Sequence, residues 1–429
     1  MNRVCLCLPT NRACSATIAA LHDEAVHAAR HFGADVQLLI LDSSDDRTRA
    51  EHTRAVAALP PTRHVTVHHL DEDTQRAFLR RAVEQAGLPE PERLVHLMLP
   101  PAVSYGACTN RAFLLATALG CASVHRRDSD STYQLHAGQP VFPVHHELPY
   151  LGRAAAEAAA GGLPTDLAPA LLDRPVSLAG ASFIGELSVD IGEIRRLDEG
   201  VYHDVVGLWA PGDWPEERRR HLVEESFTGA GTAPFTGDRA TLTVVDPMRV
   251  DMCNIAFDRA VYERVPLPPA TDTIGSDYFL LHLVHDAGLP GILHNRHIEN
   301  FHTPERRTDT GFPAYQRRFV KFLLSMLHFH HVYDRMAAEG AGLLDERHQV
   351  RSARIVELLR ESTHLDRTEN VWRLDRVDTA YRKLGGRYAM FADRLAEERD
   401  RLLDEAESDI EDYAYLVQAW PALIEAART

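Results

Sequence analysis

An α/β core followed by a long helical region is the fold class this sequence predicts, and three observations carry it. Apolar runs of strand length alternate with amphipathic helical patterns from Val4 onward. The runs end in polar loops rather than tight hairpin turns, and from about Phe312 the reading is helical almost to the end. Taken in order, VCLCLP is strand-like and stops at Pro9, the polar loop Thr10-Asn11-Arg12 follows, and a helical pattern runs through about Phe32. A second apolar run, VQLLILD, ends at Asp42. Strand, helix, strand is a parallel βα unit, whose ligands bind beyond the carboxyl ends of the strands. VTVHHL follows near residue 67, then a helix from about Thr74 to Ala86. TNRAFLLATALG reads as a helix from Thr109 that feeds directly into ASVHRRDSD.

Residues 154–170 are rich in Ala, Gly and Pro and read as a connector, and VSLAGASFIGELSVDIG alternates like strand. FTGAGTAPFTG reads as a Gly-rich loop, and the charged run RLAEERDRLLDEAESDIEDY as a solvated helix face. The pattern divides the chain into residues 1–135, 136–310 and a helical 311–429.

A chain of 429 residues with 45% hydrophobic and 25% charged residues is ordinary globular material, long enough for two or three packed units. A formal net charge of -16 argues against nucleic-acid binding, which needs excess Lys and Arg. No apolar run reaches the roughly 20 residues that span a bilayer, so no integral membrane segment is expected. The start MNRVCLCLPTNR turns polar too early for a secretory signal, so the expected location is cytoplasmic. The 6 cysteines, with Cys5 and Cys7 on one strand face, read as reduced core thiols. Lys321 and Lys383 are the only lysines.

The chemistry-bearing stretch is ASVHRRDSDSTY. Asp128 and Asp130, two residues apart, share one side of an extended segment and repel unless something positive lies between them. Such a pair is either a solvated turn or a holder of a divalent cation through hard oxygen ligands. The motif Asp128-Ser-Asp130-Ser-Thr132 also satisfies the DxDxT of haloacid-dehalogenase-type phosphotransferases, although His125, Arg126 and Arg127 separate it from the apolar run and both lysines lie far away. His328 and His331, one helical turn apart, lack the Glu or Cys that would complete a zinc site.

Four segments in order, LPTNR, LILDSSDDRT, RRDSDS and the block from MCNIAFDRAVYERVPLP through IGSDYFLLHLVHDAGLPG to ENFHTP, resemble a GT-A class nucleotide-sugar glycosyltransferase over roughly residues 1–310. The resemblance implies a GT-A, Rossmann-like mixed-sheet core with the helical part as a C-terminal extension. It implies residues 1–135 as the donor half and 136–310 as the acceptor half. It also implies a UDP- or GDP-sugar donor, a small-molecule acceptor, and Mn2+ or Mg2+ as cofactor. Asp128, Asp130 and His302 are then the metal ligands. Pro9, Thr10, Asn11, Arg12, Asp42, Asn110, Arg111 and Asp128 surround the nucleotide-sugar, and Asp277 or Glu186 serves the acceptor hydroxyl as catalytic carboxylate. Plain alternatives stand beside these roles: a helix start for Asn110 and Arg111, a capping aspartate for Asp42 and Asp277, and a solvent-facing loop for His302. Two departures mark a divergent branch: Ser276-Asp277 stands where the class has Glu-Asp, and the first strand ends in Thr-Asn-Arg. A haloacid-dehalogenase-type enzyme and an inactive nucleotide-sugar binding protein are the alternatives, and the C-terminal helices are a candidate homodimer surface.

Overall fold

The alternation of side chains along β1 (Arg3–Thr10) decides how the core is built. Val4, Leu6 and Leu8 pack on one face with Val36, Leu38 and Ile40 of β2 (Asp35–Asp42), while Cys5 and Cys7 pack on the other with Leu39 and Leu41. With both faces apolar, both need a covering layer. Helix α1 (Ser15–Phe32) supplies one through Ile18, Leu21 and Ala25. After α2 (Asp46–Ala57) and β3 (Val65–Asp71), the other face is covered by α3 (Glu72–Ala86), α4 (Pro91–Met98) and α5 (Tyr105–Ala118), the last feeding β4 (Ser123–Arg127). Burial pushes the Cys7 thiol up to about 12, and all six cysteines are unbridged thiols.

The computed structural model describes residues 2–302, 308 and 311–429. Beyond β4 come the short strands β5 (Ser131–Tyr133), β6 (Leu135–His136) and β7 (Gln139–Pro140), helices α6 (Val144–Glu147) and α7 (Ala155–Ala160), and strands β8 (Leu178–Gly180) and β9 (Phe183–Gly185). Helices α8 (Gly192–Leu197), α9 (Glu199–Val206) and α10 (Glu216–Glu225) precede β10 (Ala240–Thr243) and β11 (Asn254–Asp258). Helices α11 (Arg259–Tyr262) and α12 (Phe279–Asp286) and strands β12 (Gly291–His294) and β13 (Ile298–Asn300) complete this part. Thr303 and Pro304 of the ENFHTP stretch lie outside the described residues.

The fold is α/β with an eight-stranded mixed sheet in the order β10-β12-β8-β11-β4-β1-β2-β3. Strands β1 to β4 are parallel, so Thr10, Asp42, Asp71 and Arg127 end at one rim. Strand β11 runs antiparallel to both β4 and β8, with Asn254 opposite Arg127. Its reversal brings its lead-in, Val250 to Cys253, to the rim where the parallel strands finish. Strand β4 is pinned there by Arg127, which reaches Glu24 of α1 at 2.8 Å and Glu147 of α6 at 2.9 Å, all three fully buried.

The remainder is helical: α13 (Gly311–Glu339), α14 (Ser352–Ser362), α15 (Thr368–Leu384) and the 42-residue α16 (Gly386–Ala427). These helices dock on the core, where Trp420 donates to the Tyr262 carbonyl at 2.8 Å and Tyr413 to that of Pro266 at 3.0 Å. The acidic run in α16 is more than a solvated face. Glu405 and Asp409 hold the buried Lys321 of α13 at 3.1 and 3.0 Å, because a buried ammonium needs counter-charge. His328, whose pairing with His331 lacked the residues to complete a zinc site, is buried and bonds the Ser362 carbonyl at 2.9 Å.

Burial holds His282, His294 and His330 neutral, each pulled down to about 3. Burial opposes ionisation of Glu147, yet Arg127 and His125 bring it to about 2. These groups take up protons more readily in the unfolded chain, so their stabilisation is complete near neutral pH. It is lost for the histidines as pH falls from about 6.5 toward 3, and for Glu147 below about 4.5. The thermal unfolding midpoint is therefore expected to drop progressively between pH 7 and pH 4. A midpoint that held or rose over that range would contradict this assignment.

Candidate active site

A cavity of ≈ 370 Å³ opens at the carboxyl rim, bounded by the loop after β1, the start of α5, the Asp128–Asp130 turn, the lead-in to β11, the start of α12 and one face of α13. Its volume lies within the range of small-molecule sites. One end is charged. Arg126, buried on β4, sits between two carboxylates, at 3.1 Å from Asp128 and bonded to Asp277. Arg12 bonds Asp130 Oδ2 at 2.6 Å. Burial drives the Asp128 carboxyl up to about 6; Arg126 opposes this, while Asp130, Asp277 and Asp251 reinforce it. Burial likewise opposes the charge on Arg126, but Asp128 and Asp277 keep it firmly cationic.

The carboxylates of Asp128, Asp130, Asp251 and Asp277 thus share a partly desolvated cavity with the guanidiniums of Arg12, Arg111 and Arg126. The donor set is all hard oxygen, which suits Mg2+ or Mn2+ held by one or two carboxylates together with waters and phosphate oxygens. Asp128 and Asp130 are the pair that could hold such an ion, with Arg12 bonded to Asp130 Oδ2.

The sequence-derived candidates divide. Pro9, Thr10, Asn11, Arg12, Arg111, Asp128, Asp130 and Asp277 all line the cavity. Asp42 does not, although Leu41 and Ser43 beside it do. Its Oδ1 accepts from the Ser44 amide at 2.9 Å, and its Oδ2 lies 2.8 Å from both His52 Nδ1 and His69 Nε2. Burial opposes its ionisation, but the bonds from His69, Ser44 and His52 hold it well below the ordinary carboxylate range. The expectation that Asp42 receives the nucleobase or ribose is corrected: a helix and a neighbouring strand have already satisfied it.

Asp42, His52 and His69 are also the group of three whose ligand atoms lie close enough for a metal among the described residues. Tautomerism argues against one. The Cys14 amide donates to His52 Nε2 at 3.1 Å, which leaves that nitrogen as acceptor and puts the proton on Nδ1, facing Asp42. Ligation through Nδ1 would need the opposite tautomer, so the trio is a hydrogen-bond relay under the cavity floor.

Asn110 needs a second correction. Helix α5 begins at Tyr105, four residues earlier than the pattern predicts, because Ser104 caps it by accepting from the Ala107 amide at 3.2 Å. Asn110 is therefore inside the helix, fully buried, donating to the Leu267 carbonyl at 2.8 Å and accepting from the Leu267 amide at 2.7 Å. Arg111 does line the cavity, held by Gln75 at 2.7 Å and the Met98 carbonyl at 2.6 Å. Asn110→Ala is expected to cost about 1–3 kcal/mol of stability in denaturant unfolding, since it strands two buried backbone groups, and to leave nucleotide affinity unchanged. Weakened nucleotide binding in a folded variant would reinstate Asn110 as a ligand.

His302 and Glu186 form a corner of their own. His302 donates through Nε2 to the Leu187 carbonyl at 2.7 Å, and its Nδ1 lies 3.2 Å from Glu186 and 3.4 Å from Asp190. Strand β13 runs parallel to β9, so residues just past its end fall over the segment just past β9. Neither side chain lines the cavity. His302 and Glu186 thus stand together, outside the described lining of the cavity.

A family model matches residues 2–429. The chain belongs to DUF6271, described as a family of unknown function. No curated protein sequence matches it. Among solved structures similar to this DUF6271 protein is the mannosyltransferase PcManGT from Pyrobaculum calidifontis, in complex with GDP-Man and Mn2+. It is 12% identical, with 97% of this chain and 86% of that chain covered at a TM-score of 0.38. TarS 1-349 of S. aureus, in complex with UDP, is 11% identical, covering 98% and 91% at 0.35. Core-mannan synthase A from Aspergillus fumigatus, in a Mn/GDP form, is 7% identical, covering 67% and 65% at 0.23. The bound nucleotides and manganese are properties of those proteins.

Two features of the DUF6271 site escaped the sequence reading. Asp251 lines the cavity, bonded to the Tyr278 hydroxyl and accepting from the Cys253 amide at 3.0 Å. The cavity-facing side of α13 carries Tyr315, Arg318, Phe322, Met326, Phe329 and Tyr333. The signal for α13 was present: FVKFLLSMLHFHHVY is too apolar around its circumference for a helix with one face in water.

Proposed function

We propose that this protein is a divalent-metal-assisted glycosyltransferase of the GT-A class, moving a sugar from a UDP- or GDP-sugar to a hydroxyl of a small-molecule acceptor. One observation carries the reading: the Asp128–Asp130 pair and the cationic Arg12, Arg111 and Arg126 meet Asp251 and Asp277 in a single cavity at the carboxyl ends of parallel strands. A nucleoside diphosphate needs positive charge around its phosphates, and Arg12, Arg111 and the backbone after Thr10, all at the cavity lining, would provide it. Asp128 and Asp130 would hold the cation, which when bound neutralises charge developing on the departing diphosphate.

In the proposed reaction, the acceptor oxygen forms a bond to the anomeric carbon while the bond from that carbon to the β-phosphate oxygen breaks, its electron pair remaining on the phosphate. The acceptor proton passes to a carboxylate oxygen of Asp277, which Arg126 orients. The phosphotransferase alternative finds less support. Thr132 is exposed on β5, and neither lysine lines the cavity: Lys321 pairs with Glu405 and Asp409 and Lys383 with Asp198. Incubation with a panel of nucleotide-sugars and Mn2+ is expected to give thermal stabilisation by at least one donor and slow release of its nucleoside diphosphate. Stabilisation by none would contradict the proposal.

A further inference from the structure

Away from the aspartates the cavity changes character. Trp209 lies 5.9 Å from Phe322, and Phe329 lies 5.8 Å from Tyr333, ring centroid to centroid, with Met326 on the same cavity-facing side of α13. His282, held neutral by burial, stacks on Tyr333 at 3.8 Å. Val250, Met252 and Ile274 continue this lining toward the polar end. The polar groups along this arm are Arg318, Ser325 and the Tyr315 and Tyr333 hydroxyls, of which Ser325 donates to the Phe322 carbonyl at 2.8 Å and Tyr315 accepts from the Asp190 amide at 2.9 Å, while the Tyr278 hydroxyl is bonded to Asp251.

That pattern bears on the acceptor. A sugar acceptor would bury several hydroxyls against carbon, and each one left without a partner carries its desolvation penalty unrepaid. Flat rings and methionine thioethers favour contact with another ring. Aromatic walls that meet two carboxylates at one end suit a molecule that is mostly planar and apolar and offers one reactive hydroxyl. We infer that the α13 arm of the cavity is the acceptor subsite and that it takes a hydroxylated aromatic compound, a phenol or a fused-ring alcohol, with its hydroxyl directed toward Asp251 and Asp277. This rests on the transferase reading for its role, although the arm's chemistry can be measured separately.

The test is calorimetry on the full chain without donor, using 1-naphthol, N-acetylglucosamine and 1-decanol as probes, with UDP and GDP plus Mn2+ titrated in parallel. Naphthol is expected to bind at least tenfold more tightly than either other probe. Met326→Trp, which fills the arm, is expected to weaken naphthol tenfold or more while nucleotide affinity stays within a few-fold. Ser325→Trp, at a half-buried lining position, repeats the test should the first variant fold poorly. Preference for N-acetylglucosamine or decanol over naphthol, or naphthol binding untouched in both folded variants, would overturn the inference and leave the nucleotide site intact. Naphthol binding with no nucleotide binding would uphold the arm's chemistry and count against the transferase reading instead.

Discussion

Asp130→Ala is expected to abolish Mn2+-dependent nucleotide binding while the protein remains folded. Asp130 sits in the turn just past β4, at the rim of the sheet rather than within a strand, and bonds Arg12 through Oδ2. Its proposed role has few substitutes: with Asp42 sealed by His52 and His69 and His302 turned to Leu187, Asp128 is the other carboxylate of the pair. Even partners that merely orient a metal ligand are worth roughly 10–100-fold in affinity, so loss of a ligand itself should cost on the order of a hundredfold or more. Calorimetric titration of UDP and GDP with and without Mn2+, alongside a thermal melt, separates this from unfolding. A variant that melts like the wild type and retains full Mn2+ enhancement would remove Asp130 from the site.

Asp277→Asn is expected to slow transfer by about a hundredfold or more while nucleotide-sugar affinity stays within a few-fold. The substitution keeps the shape and still offers Arg126 a carbonyl oxygen, and Arg126 retains Asp128 at 3.1 Å. What it removes is a proton acceptor beside the proposed acceptor position. A helix-capping role no longer competes, because α12 begins at Phe279 with Tyr278 at its cap and no capping side chain. Transfer at the wild-type rate in Asp277→Asn would mean that this residue only positions Arg126. The proton acceptor would then be sought at Asp251, which lines the cavity, rather than at Glu186 or Asp190, which stand with His302.

The rim was legible because it depends on local rules. Short continuous apolar runs placed β1 and β2, the helix feeding into ASVHRR placed β4, the polar residues after them marked their carboxyl ends, and Asp128 and Asp130 followed without tertiary information. Asp42 shows the limit of the same rule. Strand-end position brought it to the rim, but two histidines, ten and twenty-seven residues later, decided that its carboxylate would point inward. The start of α5 was misplaced because TNRAFLL looked like a helix opening, whereas Ser104 supplied a cap in a stretch where prolines obscured the pattern.

The missing parts of the site came from contacts distant in sequence. Asp251 reaches the rim only because β11 runs backwards between β4 and β8, and strand direction is not written in a strand of five residues. Helix α13 could be read as apolar but not as a wall of this cavity, since that depends on docking of the whole C-terminal region. The buried pairing of Lys321 with Glu405 and Asp409 follows the same logic: each charge read alone looked solvated, and the partners lie more than eighty residues apart.

The central claim is that the cavity beyond β1 and β4 binds a nucleoside diphosphate with a divalent cation on Asp128 and Asp130. Calorimetry of UDP and GDP against the wild-type chain, with and without Mn2+, tests it most directly. At least one nucleotide is expected to bind tenfold or more tightly with Mn2+ present, and equal affinity for both nucleotides under the two conditions would contradict the account.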